Sequence, residues 1–220
     1  MWKAGAVTTP RPGLRERKKQ ATRKALREAA LRLALERGPD SVRVDDIADA
    51  AGVSPRTYNN YFSSREQAIV AAVTAEREAR VAAAVAARLA TTGLAAAITE
   101  AIVEQYTDPG SGDRDALLLI ATRPALRDAF LDAAAEIEDP LAAVIAECIA
   151  DNEQYTARVL SASVAAAIRI ALQRWLGPTA ASASTSGLVV PAGSLPDLLR
   201  SALAPLAPAL DAAGRHHIPP

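Results

Sequence analysis

The sequence predicts an all-α protein, with an N-terminal helix-turn-helix module of three helices followed by a larger helical bundle. Half of the 220 residues are hydrophobic, and alanine dominates that half. Only 11 residues are glycine, and most of the 14 prolines lie near candidate helix ends or in the tails. Alternating runs of β-branched residues, the usual signal of strands, are nearly absent. The apolar content is ample for a helical core.

The net charge of zero hides an asymmetry along the chain. Residues 1–80 hold 16 Lys and Arg against 10 Asp and Glu, whereas residues 81–220 hold 9 against 15. The basic first third could bind a polyanion, whereas the acidic remainder would repel one. This asymmetry indicates that the two parts have separate roles. The single cysteine, Cys148, excludes a disulfide framework, and we expect a cytoplasmic protein. No run approaches the roughly 18 apolar residues of a membrane span, so we expect no membrane contact.

The first element follows a flexible arm at residues 1–13. A helix over Leu14–Arg37 is predicted, because apolar residues recur along one face of it and Gly38 then Pro39 stop it. Six basic residues lie in its first half, and their positive charge is unfavourable near a helix N-terminus. A solvated helix face would explain these basic residues. A face that contacts phosphates better explains why the chain keeps them despite their unfavourable interaction with the helix dipole.

Two short helices come next, over Val44–Ala51 and Ser54–Tyr61, with Gly52 breaking the chain between them. Ser54 can cap the second helix, with Pro55 at its first position. Helices of about eight residues are not stable alone, so the two must pack on each other and on a third helix. A short turn containing glycine between two such helices is the helix-turn-helix signature, and the DNA-binding module is expected to span 14–63.

The remaining 64–213 are predicted to form the bundle. Ser63 and Glu66 form a candidate capping box that opens a long connecting helix over 64–89. Pro140 should kink or split the helix that contains it. A low-complexity stretch predicts a mobile linker at 178–194, and 214–220 form a tail. The other predicted helices cover 94–106, 114–122, 125–150, 155–176 and 195–213.

The stretch "GVSPRTYNNYFSSRE" gathers aromatic and amide residues that are rare elsewhere in the chain. Tyr58 and Phe62, four apart, are expected on the core side of the second short helix. Asn pairs with adenine, Arg with guanine, and the Thr methyl meets the thymine methyl, so the outward residues suit base edges in DNA. Tyr61 and Arg65 are placed to touch phosphates. The outward residues are Arg56, Thr57, Asn59 and Asn60. An ordinary solvated surface is the alternative for any one of them.

At these residues the chain resembles the TetR family of bacterial transcriptional regulators. The stretch "VDDIADAAGVSPRTYNNYFSSREQAI", residues 44–69, is similar to that family's most recognisable segment, and the resemblance extends over about 15–80. The residues that match in register are Ile47, Ala48, Gly52, Val53, Ser54, Thr57, Tyr61 and Phe62. Three positions depart from the family pattern, with Arg43 for a capping Thr, Asn59 for a frequent Tyr, and Arg65 for Lys. The DNA-binding residues so implied are Arg43, Ser54, Arg56, Thr57, Asn59, Asn60, Tyr61 and Arg65.

The resemblance implies that the residues beyond 80 form a ligand-binding and dimerisation domain. It also implies a homodimer that binds a near-palindromic operator and is released by a small ligand. The apolar segments Val159–Leu176 and Leu195–Leu210 could form a four-helix dimer contact. Arg169 in an apolar helix should need an acidic partner. A structural role is the first interpretation of each candidate ligand residue, and contact with a ligand is the alternative. These residues are Tyr106, Arg127, Phe130, Cys148 and Arg169.

Other classes of function fit the sequence less well. The only histidines are His216 and His217 in the tail, and no Gly-rich phosphate loop is present, so we expect no enzyme, no metal and no cofactor. An architectural DNA-binding protein, an activator, and a ligand carrier with an inactive DNA reader remain alternatives. Uniform affinity across DNA sequences would distinguish the architectural protein from a repressor.

Overall fold

The computed structural model describes residues 13–74, 77–107, 114–149, 154–177 and 194–214, and every regular element among them is a helix. This confirms the predicted all-α class. The arm, the linker and the tail lie almost wholly outside the described residues. The helices are α1 (Leu14–Arg37), α2 (Val44–Ala50), α3 (Pro55–Tyr58), α4 (Arg65–Thr74), α5 (Arg77–Arg88), α6 (Leu94–Thr107), α7 (Arg114–Thr122), α8 (Pro124–Asp132), α9 (Glu138–Cys148), α10 (Gln154–Leu176), α11 (Leu195–Leu203) and α12 (Ala207–Gly214).

The chain divides into two compact units, Met1–Ala72 and Val73–Pro220. In the first unit α2 packs against both α1 and α3. The apolar stripe of α1 is buried, with Leu26 and Ala30 fully covered, and Ile47 and Ala48 of α2 are fully covered as well. Two helices too short to be stable alone are therefore held by a shared core with the long first helix.

The second short helix is shorter than the sequence predicts. α-Helical structure ends at Tyr58 instead of Tyr61, and the chain continues through tighter turns. The amide of Asn60 donates to the carbonyl of Thr57 at 3.1 Å, and the amide of Tyr61 to that of Tyr58 at 2.8 Å. Asn and aromatic residues have modest helix propensity, which fits the early end of this helix.

The start of α4 lies one residue later than predicted. The amide of Gln67 donates to the Ser64 hydroxyl at 3.1 Å, and the amide of Ser63 donates to Gln67 Oε1 at 2.7 Å. The capping residues are therefore Ser64 and Gln67 and not Ser63 and Glu66, because Glu66 is paired with Arg65. Whether α4 and α5 form the single predicted helix depends on residues 75 and 76, which lie outside the described residues.

The second unit is a bundle with α10 and α6 at its centre. α10 packs against α9 and α11, and α6 packs against α5, α11 and α12. The segment Tyr155–Leu176 is long and apolar enough to cross a membrane by length and composition, and half of the window that passes this test is buried inside the protein. A core helix of a bundle has the same composition. Its buried residues include Val164 and Ile168.

Proline residues break two predicted helices. The predicted helix 125–150 is split by a 3-10 turn at Ala133–Ile137, one turn before Pro140. Pro140 then lies in the first turn of α9, where its missing N–H removes no helical hydrogen bond. The predicted helix 195–213 is likewise two helices, because Pro205 lies in a 3-10 turn between α11 and α12.

Tyr58→Phe tests the buried contact that ends α3. The Tyr58 hydroxyl donates to the Ser64 carbonyl at 2.8 Å, and its loss should lower the free energy of opening of the first unit by about 1 kcal/mol. Hydrogen exchange of the α1 and α2 amides measures that opening. Tyr155→Phe is the control, because Tyr155 is 87% exposed and its exchange should equal that of the wild type. Equal protection in both variants would contradict the assignment.

Candidate nucleic-acid interface and ligand site

The turn between α2 and α3 sets the direction of the second short helix. Gly52 has a φ of +69°, a left-handed conformation that strains any residue with a side chain. The amide of Val53 donates to the carbonyl of Ala48 at 2.9 Å, and that of Gly52 to Asp49 at 3.0 Å. This pair of bonds is the Schellman pattern that ends a helix and reverses the chain. Glycine at position 52 is therefore required for the helix-turn-helix geometry.

The start of α3 is capped by its own polar residues. Ser54 Oγ accepts from the Thr57 amide at 3.2 Å and lies 2.9 Å from Thr57 Oγ1. Pro55 occupies the first helical position, where no N–H is needed. The Ser54 and Thr57 hydroxyls are thus used inside the module. In the candidate interface this leaves Thr57 its half-buried methyl group for contact with a base.

The inner side of α3 is aromatic. The rings of Tyr58 and Phe62 are buried with centroids 5.8 Å apart, and the Arg23 guanidinium of α1 lies 5.7 Å from the Phe62 centroid. Burial, with a smaller contribution from the charge of Glu66, raises the pKa of Tyr58 to about 12, so the hydroxyl is a neutral donor at physiological pH. The predicted core side of this helix is therefore observed.

The opposite side carries the amides. Arg56, Asn59 and Asn60 are exposed, and Thr57 and Tyr61 are half-buried. Asn59 and Asn60 lie in the turn that follows α3 and not on a regular helix face. The structure brings these five predicted residues together on one short segment, with donors and acceptors that match base edges.

Two arginines flank this segment, and their side chains differ in whether they form hydrogen bonds within the protein. Arg43 is exposed, and its backbone amide donates to Asp46 Oδ2 at 3.0 Å. Asp46 thus satisfies the amide of the residue before α2, while the Arg43 side chain offers no acceptor to the amides of the first turn. Arg65 Nη1 instead donates to the carbonyls of Asp40 at 3.1 Å and Val42 at 2.9 Å. Arg43 therefore presents a cation outward, whereas Arg65 ties the start of α4 to the loop before α2.

Two of the candidate ligand residues meet in the second unit. The Tyr106 ring of α6 and the Phe130 ring of α8 lie 4.6 Å and 5.5 Å from Cζ of Arg77, the first residue described in α5. Burial raises the pKa of Tyr106 to about 12, and the positive charge of Arg77 opposes that rise. We call Arg77, Tyr106 and Phe130 the arginine–aromatic cluster.

The other three candidates lie elsewhere in contact with backbone or solvent. Arg127 Nη1 donates to the Leu176 carbonyl at 3.1 Å near the end of α10. The buried Cys148 thiol donates to the Val144 carbonyl at 3.3 Å, and burial raises its pKa. Arg169 is exposed to solvent, so the expectation that it needs an acidic partner is wrong. A lone charge is costly only when it is buried, and Arg169 is not buried.

Arg77 is a residue of this cluster that the sequence did not predict as a candidate ligand residue. It is 8% exposed, and its Nε lacks a hydrogen-bond partner among the described residues. In the sequence it lies within "TAEREAR", which has the pattern of a solvated helix face. Its contacts with Tyr106 of α6 and Phe130 of α8 come from tertiary packing, which the local sequence does not reveal.

Comparison with known proteins supports the assignment of the first unit. Residues 26–72 match the family described as bacterial regulatory proteins, tetR family. The chain is 42% identical over 72 residues to the HTH-type transcriptional regulator TcmR of Streptomyces glaucescens, a match that covers 33% of this chain and 32% of that protein. It is 45% identical over 51 residues to the HTH-type transcriptional regulator BetI of Rhizobium meliloti (strain 1021), covering 23% and 25%. These matches span a third or less of either relative.

Among solved structures, a TetR-family regulator from Streptomyces coelicolor A3 aligns with 92% of this chain and 99% of its own, at 19% sequence identity and a TM-score of 0.47. The family match covers the end of α1, the helix-turn-helix and the beginning of α4, where the Gly52 turn and the exposed amides lie. Residues 26–72 therefore match the TetR family of bacterial regulatory proteins, and this part of the chain contains the helix-turn-helix.

Proposed function

We propose that the protein is a cytoplasmic repressor that binds a near-palindromic operator as a homodimer. A small, largely apolar molecule bound in the second unit releases it from DNA. The observation that carries the DNA-reading part is the segment after Gly52, where buried aromatic rings hold Arg56, Asn59 and Asn60 at the surface. A fixed backbone beneath exposed amides is what base-edge readout requires.

Selection of bound fragments from the genome of the source organism tests this function. The expected product is a set of sites that share an inverted repeat, with half-sites about 34–36 Å apart or a multiple of that distance. Reporter transcription from such a site should fall when the protein is expressed. Uniform recovery of unrelated fragments would instead indicate sequence-independent binding, and a rise in transcription would indicate an activator.

The proposed dimer contact rests on an exposed apolar stripe on α10. Tyr155, Val159 and Ile170 are 87%, 63% and 59% exposed in the protomer. At about 100° per residue, these positions and the exposed Ala166 fall within about 60° on the helix surface. α11 packs beside α10, so two copies related by a two-fold axis would bring four helices together.

Ile170→Glu should weaken this dimer, because it places a charge in an apolar contact. We expect the dimer dissociation constant to rise at least about tenfold, which corresponds to about 1.4 kcal/mol, in sedimentation equilibrium. Leu118→Glu on α7 is the matched control, since Leu118 is an exposed apolar residue, at 64%, outside the stripe. A wild-type monomer at micromolar concentration, or equal effects of the two variants, would count against the dimer contact.

Asn60→Ala should reduce affinity for the selected site by roughly 1–3 kcal/mol and relax the preference at one base position. Competition binding with a set of single-base variants of that site measures both effects, and Asn59→Ala is measured in parallel. Affinity for unrelated DNA is the internal control and should not change. If both alanine variants keep the full base preference, the amides are only surface residues.

Arg43→Ala should weaken binding to all DNA sequences alike and lower the salt slope by about one. The slope of log K against log salt concentration measures the lost phosphate contact. Arg200→Ala, an exposed arginine of the second unit, serves as the control and should leave the slope unchanged. We propose a phosphate contact for Arg65 too, and Arg65→Lys would separate it from the carbonyl contacts, because Lys keeps only the charge.

Ligand release requires a coupling between the two units. A ligand acts at a distance only by favouring one arrangement of the DNA modules, and the connecting segment between α3 and α6 is the covalent route for that coupling. By linkage, operator DNA weakens ligand affinity by the same factor by which the ligand weakens DNA affinity. A small ligand that binds tightly and leaves operator affinity unchanged at fixed salt would overturn the release mechanism and leave the DNA-binding assignment intact.

A further inference from the structure

The arginine–aromatic cluster contains an incompletely paired buried cation. Arg77 is 8% exposed, yet its Nε has no hydrogen-bond partner among the described residues. A buried donor without an acceptor has given up its hydrogen bond to water without replacing it, and that loss is larger when the group is charged. Such a group in a folded protein needs an explanation, and an acceptor supplied by a ligand is one.

The two aromatic rings pack on this cation and do not satisfy its Nε. Tyr106 and Phe130 contribute cation–π contacts at 4.6 Å and 5.5 Å, and these contacts occupy the guanidinium without giving Nε an acceptor. A planar guanidinium accepts partners along its edge, where Nε and one terminal nitrogen match the two oxygens of a carboxylate. The rings add apolar area beside that edge.

Nearby acidic residues do not replace such a partner. Burial raises the pKa of Glu78, with a smaller contribution from the charge of Glu136, so the carboxylate next to Arg77 in sequence holds its negative charge less readily than usual. Neither residue gives Arg77 Nε an acceptor, although both act on the cluster electrostatically. The carboxylate of a bound ligand could therefore serve as the acceptor for Arg77 Nε.

We propose that Arg77 binds the carboxylate of a largely apolar monocarboxylic acid, whose hydrocarbon or aromatic part lies against Tyr106 and Phe130. This proposal rests on the proposed ligand response and names its chemical class. Nε and a terminal nitrogen of Arg77 donate to the two carboxylate oxygens. Neutral analogues of the same shape lose the charge and one acceptor oxygen.

Calorimetric titration of the wild-type protein without DNA tests the assignment, with benzoate, 4-phenylbutanoate and decanoate, each paired with its primary amide. We expect at least one acid to bind with a Kd below about 1 mM and at least about tenfold tighter than its amide, a difference of about 1.4 kcal/mol. No acid binding in that range, or amides that bind as tightly as the acids, would overturn the proposal.

Arg77→Met should weaken the bound acid at least about tenfold and leave the amide unchanged. Arg88→Met is the matched control on the same helix, because the Arg88 guanidinium is paired with Glu104 and lies outside the cluster. If circular dichroism shows that Arg77→Met does not fold, Arg77→Lys takes its place, with the same expected loss of the two-point contact. Wild-type affinity in the folded variant would overturn the role of Arg77.

The same samples separate this inference from the proposed function. Operator binding is measured by gel shift without any acid, so a wild-type protein that binds no operator contradicts the repressor but leaves the titration valid. Acid binding that depends on Arg77 supports the site whatever the gel shift shows. Operator release by the acid in wild type and not in the Arg77 variant would tie the two together.

Discussion

The DNA-binding module depends on the burial of two aromatic rings beneath a helix of a single turn. α3 is too short to be stable by its own hydrogen bonds, so its position comes from Tyr58 and Phe62 below it. The Tyr58 hydroxyl reaches the Ser64 carbonyl, and the Phe62 ring meets Arg23 of α1. The same two side chains thus attach the segment both to the first helix and to the start of the fourth.

This constraint divides the polar residues of the segment into two groups. Ser54 and Thr57 satisfy the helix start, and Arg65 holds the carbonyls before α2, so their polar groups serve the fold. Asn59 and Asn60 are exposed in the turn, where their amides remain available to a partner. Because α-helical structure ends at Tyr58, the amides are presented by a tight turn with fixed i to i−3 hydrogen bonds.

Local signals in the sequence were sufficient for the helix-turn-helix and insufficient for the second unit. Gly52, Ser54 and Pro55 each act within a few residues, so the end of α2 and the start of α3 could be predicted to within one residue. The position of the cap at Ser64 could not, because Ser63 and Ser64 offer the same hydroxyl. The tertiary contact of Arg65 with the Val42 carbonyl and its pairing with Glu66 select between them. Arg77 was missed for a related reason, since its burial comes from α6 and α8.

The place of Arg77 in the chain bears on how a ligand could control DNA binding. It follows Thr74, the last residue of α4, by three positions, and α4 begins with the Arg65 contacts that support α2. In the proposed mechanism, an acid held by Arg77 would act on the segment that leads from the DNA module. Coupling of that kind needs a difference in ligand affinity between two arrangements of about 1–3 kcal/mol, which corresponds to a change of about 5–150-fold. A two-point carboxylate contact could form in one arrangement and not in the other. Its energy would fall within that range, since hydrogen bonds to charged groups contribute about 1.5–3 kcal/mol. On this proposal, a modest binding energy at the Arg77 Nε would be enough to shift the operator affinity.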